Sequence, residues 1–146
     1  VTFKLGGEAQ LTETQITYLT VPEPQKMAYS PEQRAEGELL FARYCAVCHG
    51  PGAGTVGPIP NLLYSGEDVH AAWDAIVVGG ARENKGMPKF DHAMDVAGSQ
   101  AIRAYVIDMA KNTIALCESD LRVQYPELLN PACQMSVATS AESAGR

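Results

Sequence analysis

Five consecutive residues, Cys45-Ala46-Val47-Cys48-His49, constrain this chain more than any other feature. Two cysteines three apart project from one face of a helical turn, where both can reach the vinyl groups along one edge of a haem. The adjacent histidine can then swing its imidazole under the ring, and C-x-x-C-H is the spacing of covalent c-type haem attachment. Two thioether bonds would hold the porphyrin, and the same turn would deliver a ligand to the iron.

Other uses of a C-x-x-C pair fit less well. Half a zinc site calls for a second pair at similar spacing, and the other cysteines, Cys117 and Cys133, stand far apart. A thioredoxin-like redox pair belongs to a βαβ setting, which this sequence does not offer.

At 146 residues the chain is sized for one small domain with tails. Aromatic residues make up only 7% of it, and a buried macrocycle would supply the apolar mass they lack. A net charge of −6 and a pI near 5.0 disfavour nucleic acid as a partner. No apolar run approaches the roughly 20 residues of a membrane span; stretches such as Ala75 to Val78 are far too short. The first residue is Val1, not methionine, and no signal peptide precedes it, as expected of a processed product or an excised fragment. With Cys45 and Cys48 committed, Cys117 and Cys133 are expected to form a disulfide closing a loop of about 15 residues, which would add roughly 3 kcal/mol. That pairing points to an oxidising compartment; two free buried thiols are the alternative.

Three segments follow from the pattern. Residues 1–29 read as a strand and a linker: Val1-Thr2-Phe3-Lys4-Leu5 alternates apolar and polar, Gly6-Gly7 ends it, and Pro22-Glu23-Pro24 belongs to an extended connection. Residues 30–112 read as the haem domain. Ser30-Pro31-Glu32-Gln33 opens its first helix with an N-cap, a proline at the first helical position and a capping box, and Gly37, Leu40, Phe41 and Tyr44 share a face. Gly37 costs about 1 kcal/mol inside a helix; close approach of another helix would explain it, as would simple tolerance at the surface. Gly50 to Pro60 is too rich in glycine and proline for regular structure, and one of its prolines could accept a hydrogen bond from His49 Nδ1.

A second helix is expected from an N-cap at Ser65 to about Val78, stopped by Gly79-Gly80, with Val69, Ala72, Trp73 and Ile76 as its apolar stripe. Trp73 should be buried with its indole N–H bonded. Gly86-Met87-Pro88 follows in a loop. The proline keeps Met87 extended, and a methionine held this way suits a thioether offered to iron opposite His49. Met94, His70 and His92 are the competing ligands; Met94 lacks constraining flanks, and both histidines are expected at the surface. Asp95 caps a third helix from about Val96 to Lys111, whose Tyr105 and Val106 are candidates to meet Gly37 and Phe41. Residues 113–146 read as a stapled extension ending in a disordered polar tail from Ser136 to Arg146.

Taken together, the helix running into Cys45-Ala46-Val47-Cys48-His49, the Pro60-Asn61-Leu62 loop, Gly86-Met87-Pro88 and the closing amphipathic helix resemble class I cytochromes c. Over residues 30 to 112 the chain is most similar to the C-terminal cytochrome domain of quinohaemoprotein alcohol dehydrogenases. Ile76-Val77-Val78-Gly79-Gly80-Ala81, Gly86-Met87-Pro88-Lys89-Phe90 and Ala101-Ile102-Arg103-Ala104-Tyr105-Val106 carry that likeness. The opening Val1 to Gly7 looks like the last strand of such an enzyme's propeller. The Cys117 to Cys133 extension is a departure from the pattern.

The resemblance implies an all-α class I cytochrome c fold around one covalent haem c; the residues themselves add the expectation of an extended N-terminal arm and a disulfide-stapled C-terminal extension. It implies His49 and Met87 as axial ligands, Cys45 and Cys48 as thioether positions, Pro60 as carbonyl partner of His49, and Trp73 and Arg82 as further haem-binding residues. It also implies one-electron transfer in the periplasm, from the pyrroloquinoline quinone (PQQ) of a dehydrogenase domain or subunit to a downstream acceptor. The chain would then be a fused domain or a free carrier, without catalysis of its own. Arg82, Lys85 and Lys89 beside Met87 would form a docking rim, pair with a propionate, or simply be solvated. A haem-based sensor or peroxidase-like protein whose methionine dissociates is the alternative.

Overall fold

The computed structural model describes residues 21–55 and 58–118, without the side chains of 116–118. Among these residues the regular structure is helical: α1 (Pro31–Tyr44), α2 (Ala46–His49), α3 (Glu67–Ala71), α4 (Trp73–Val77) and α5 (Val96–Glu118), with short 3-10 turns between them. The strand expected over Val1-Leu5, the Cys117–Cys133 bridge and the polar tail lie outside the described residues.

Helix α1 starts where its local chemistry dictates. Ser30 is extended, its Oγ accepts from Gln33 N at 3.2 Å, and Pro31 occupies the first turn, where its missing N–H costs nothing. Its inner face meets α5 at a close crossing centred on Gly37, which is buried; a Cβ there would fall inside the Ala101 carbonyl. The close-approach explanation of this glycine is therefore the one the structure adopts. Beside it Phe41 and Tyr105 pack ring on ring with centroids 5.2 Å apart. Phe41 and Ile102, each 1% exposed, gain roughly 1.5–3 kcal/mol apiece from burial.

The approach to α1 is fastened as well. Residues 21–30 form neither helix nor strand, yet Val21 packs against the core. Tyr29 donates to Asp108 Oδ1 at 2.9 Å, and Arg34 Nε donates to Asp108 Oδ2 at 3.0 Å. Burial raises the Asp108 carboxyl's pKa, but the Arg34 and Tyr29 hydrogen bonds outweigh it and hold the group below the ordinary value.

Two helices differ from expectation. The second is broken: Ala72 sits at φ −93°, ψ 10°, dividing it into α3 and α4, and its N-cap is Gly66 without a side-chain bond, not Ser65. Both pieces keep buried residues against the core, His70 on α3 and Trp73, Ile76 and Val77 on α4. The last helix runs through Lys111 to Glu118. Its sequence past Asn112 contains no breaker before Cys117, so hydrogen bonding continues where the apolar stripe weakens. The 112/113 boundary thus falls inside a helix. Its start is as expected, with Asp95 Oδ1 accepting from Gly98 N at 2.9 Å.

Candidate functional site

The cysteine–histidine motif forms a continuation of α1 with a kink. Cys45 caps α1, donating to Phe41 O at 2.9 Å, and its own carbonyl accepts from Cys48 N at 3.1 Å and His49 N at 2.9 Å. Cys45 is buried and Cys48 exposed, while His49 points inward at 9% exposure. Gly50 then takes φ +73°, a conformation that favours glycine, and turns the chain away. The loop comes back so that Pro60 O lies 3.0 Å from His49 Nδ1. Asn61 fixes its end by accepting from Leu63 N at 3.0 Å. With Nδ1 as donor to that carbonyl, the imidazole has Nε2 free as a metal ligand.

Burial, and secondarily Cys48, pushes the Cys45 thiol up to about 11. A reactive redox pair calls for the opposite, a thiolate favoured by its surroundings. No group of three or more His, Cys, Asp or Glu able to hold a metal ion occurs among the described residues.

Opposite the motif, α4 ends by turning through Gly79 and Gly80, the latter at φ +74°. The following segment curls as a 3-10 turn over Glu83–Lys85 and reverses at Gly86, φ +89°. Met87 N donates to Arg82 O at 3.2 Å within this turn, and Phe90 N donates to Val77 O at the end of α4 at 2.9 Å, so the Met87-Pro88-Lys89 stretch is held at both ends. Met87 is half-buried.

These pieces enclose an apolar cleft. Cys45, His49, Leu62, Trp73, Met87 and Ile102 line it, together with Val69, Ile76 and Val77. Residues 69, 73, 76 and 77 form one stripe across α3 and α4, so the break at Ala72 leaves them facing the same way. Trp73 is 4% exposed and donates its indole N–H to Ser99 O at 3.0 Å, which fixes the ring as a wall. Arg82 is half-buried and is not a lining residue; it contributes its carbonyl to the turn before Met87. Lys89 pairs with Asp91 at 2.9 Å on the surface. Among the competing ligands, Met94 is buried in the core outside the cleft lining, and the His92 side chain is 74% exposed. His70, expected at the surface, is instead 5% exposed, because it stacks on Trp73.

The Leu62, Val69, Ile76, Val77 and Ile102 contributions were visible in the sequence only as apolar stripes. Spacing marks a buried face; it does not say what that face is buried against.

The site has the donor set and apolar lining of a haem pocket. A model of the family described as cytochrome c oxidase, cbb3-type, subunit III matches residues 32–106, which hold every lining residue of the cleft. The chain belongs to this cytochrome c family. The cytochrome domain is 35% identical over 106 residues to quinohaemoprotein alcohol dehydrogenase ADH IIB of Pseudomonas putida, covering 72% of the chain and 15% of that protein. It is also 35% identical over 113 residues to the 1-butanol dehydrogenase (cytochrome c) of Thauera butanivorans, covering 75% and 16%. In three dimensions it matches the solved structure of quinohaemoprotein alcohol dehydrogenase ADHIIG from Pseudomonas putida HK5 with a TM-score of 0.64 and 31% identity, over 77% of the chain and 16% of that one. The chain thus spans about one-sixth of the length of these relatives.

Membership in the cytochrome c family implies covalent haem c, and the residues present fit that group: two cysteines on one turn, an oriented imidazole and an apolar slot. In quinohaemoproteins PQQ belongs to the dehydrogenase portion, not to the cytochrome. No helix among the described residues is long and apolar enough to cross a membrane.

Proposed function

We propose that this cytochrome domain relays single electrons in the bacterial periplasm, from the PQQ of a quinoprotein alcohol dehydrogenase domain or subunit to a downstream acceptor. The observation that carries the reading is that His49, with Nδ1 at the Pro60 carbonyl, and Met87 line one apolar cleft. The haem iron supplies a one-electron couple when bound. Cys45 and Cys48 would hold it by thioethers, and His49 and Met87 would be its axial ligands.

Each remaining residue has a physical task. Pro60 fixes the tautomer and plane of His49 and strengthens its basicity as a ligand. The Gly86 reversal and the bond from Met87 N to Arg82 O fix the backbone that carries the thioether. Trp73, Ile76 and Ile102 line the cleft and would keep water from a bound haem, and a methionine paired with a histidine as ligands would raise its potential. If His49 and Met87 both bound the iron, a substrate would find no open coordination site, which separates this reading from a peroxidase-like or sensing one. The relatives named above support the donor by their quinohaemoprotein descriptions.

The test is Met87→Ala in the haem-loaded protein. A sulfur-to-iron charge-transfer band should be present in the parent and lost in the variant, the iron should become high-spin or water-ligated, and the potential should fall. An unchanged visible spectrum would sink the ligand assignment. A pyridine haemochrome spectrum showing both vinyl groups unsaturated would remove the thioethers.

A further inference from the structure

Behind the cleft wall lies a buried imidazole that the electron-relay reading does not use. His70 is 5% exposed, and its ring lies against Trp73 with centroids 5.5 Å apart and planes 11° apart. Its Nδ1 has no hydrogen-bond partner among the described residues, nor has the buried Nε of Arg103. A buried polar atom without a partner costs about 1–3 kcal/mol, so two of them in one region, with the Arg103 charge felt at His70, call for a reason.

The surrounding network explains why they stay unmatched. Asp74, one turn beyond His70, accepts from Ser99 Oγ and from Gln100 Nε2, both at 2.7 Å. Arg103, one turn beyond Gln100, reaches back to Gln100 Oε1 at 3.3 Å. The carboxylate in this network is therefore occupied by two neutral donors, and at the level of His70 the facing charge on α5 is the Arg103 guanidinium. Glu67 and Asp68, at the start of its own helix, are exposed. A proton placed on His70 has no anion bonded to it and stands one ring away from the cleft.

We propose that His70 is a positioning residue that couples the charge of the haem iron to pH, taking up a proton behind Trp73 when the iron is reduced. This rests on the haem assignment above. The balance is simple: one electron enters the iron from the donor, one proton passes from solvent to the His70 imidazole, and the net charge of the pair is unchanged. Burial, then the Arg103 charge, keeps the imidazole below its ordinary pKa and so neutral when the iron is oxidised near neutral pH. Removing one positive charge from the cleft relieves part of that penalty. Reciprocally, protonated His70 favours the oxidation state that has lost a positive charge, so acid raises the potential.

The experiment is a mediated redox titration of the haem-loaded chain from about pH 4 to about pH 8, on the parent, His70→Gln and Arg103→Gln. The parent should be level at neutral pH and rise in acid, with a slope of at most about 59 mV per pH unit, the limit for one proton per electron. His70→Gln should be level throughout. Arg103→Gln should shift the rise to higher pH, because the neighbouring charge is gone. The His70 imidazole resonance should titrate at higher pH in the reduced than in the oxidised protein. An acid rise that persists in His70→Gln overturns the proposal, as does an Arg103→Gln profile that superimposes on the parent's; if His70→Gln fails to fold, the Arg103→Gln profile and the resonance decide. A chain that takes up no haem defeats the electron-relay reading as well, whereas a haem-loaded chain with a pH-invariant potential defeats this inference alone.

Discussion

Replacing Gly37 by alanine sets two rules against each other, and they differ in sign. Alanine is the better helix former by about 1 kcal/mol, so if α1 stood alone the variant would be more stable. At the α1–α5 crossing, however, the new Cβ would lie inside the Ala101 carbonyl and 3.1 Å from Ile102 N. The obstruction is backbone and cannot rotate aside; the helices must separate until the contact reaches an ordinary 3.4 Å or more. That separation loosens the Phe41–Tyr105 pair at 5.2 Å and pulls Ile102 from the cleft. Overpacking of this kind costs about 1–3 kcal/mol and occasionally more. The backbone obstruction puts the cost at the upper end, leaving a net loss of about 2 kcal/mol after the propensity gain. The assay is denaturant unfolding of the haem-loaded protein followed by Trp73 fluorescence, with Ala35→Gly on the exposed face of α1 as a reference expected to lose about 1 kcal/mol. A Gly37→Ala protein as stable as the parent, or more so, would refute the reasoning.

Gly86→Ala tests conformation without crowding. Nothing lies within 4 Å of the added Cβ, so the expected loss of about 1–2 kcal/mol comes from the left-handed backbone at φ +89° alone, and the sulfur-to-iron band should weaken as Met87 shifts. Asp108→Asn should flatten the acid limb of the stability profile. A carboxyl with a depressed folded pKa contributes stability above its unfolded value, and that stability is lost as pH falls through the folded one. Denaturation midpoints of variant and parent should therefore converge below about pH 4 and diverge above it.

Several features were legible in the sequence because they act within one or two turns of chain. The C-x-x-C-H spacing, the Ser30-Pro31 helix start, the Asp95 cap and the glycine–proline brackets of Met87 each state a local geometric requirement, and the chain meets each where it was written. The Ser65 cap failed because the helix opens one residue later, at an extended Gly66 without a side-chain bond, and the last helix outran Lys111 because nothing in its sequence stops it there.

What the sequence determined by itself is the chemistry on offer: a thioether-forming turn, an imidazole beside it, and a methionine barred from helix. Tertiary structure alone decided which groups meet. The Trp73 to Ser99 bond spans 26 residues and the Arg34 to Asp108 bond 74. Whether Gly37 is a close crossing or a surface tolerance, and whether His70 faces water or a tryptophan, depends on where α5 comes to rest. Hydrogen-bond and turn preferences act between neighbours in the chain, whereas burial is a property of the assembled surface, so a residue's spacing can announce that it will be buried without saying beside what.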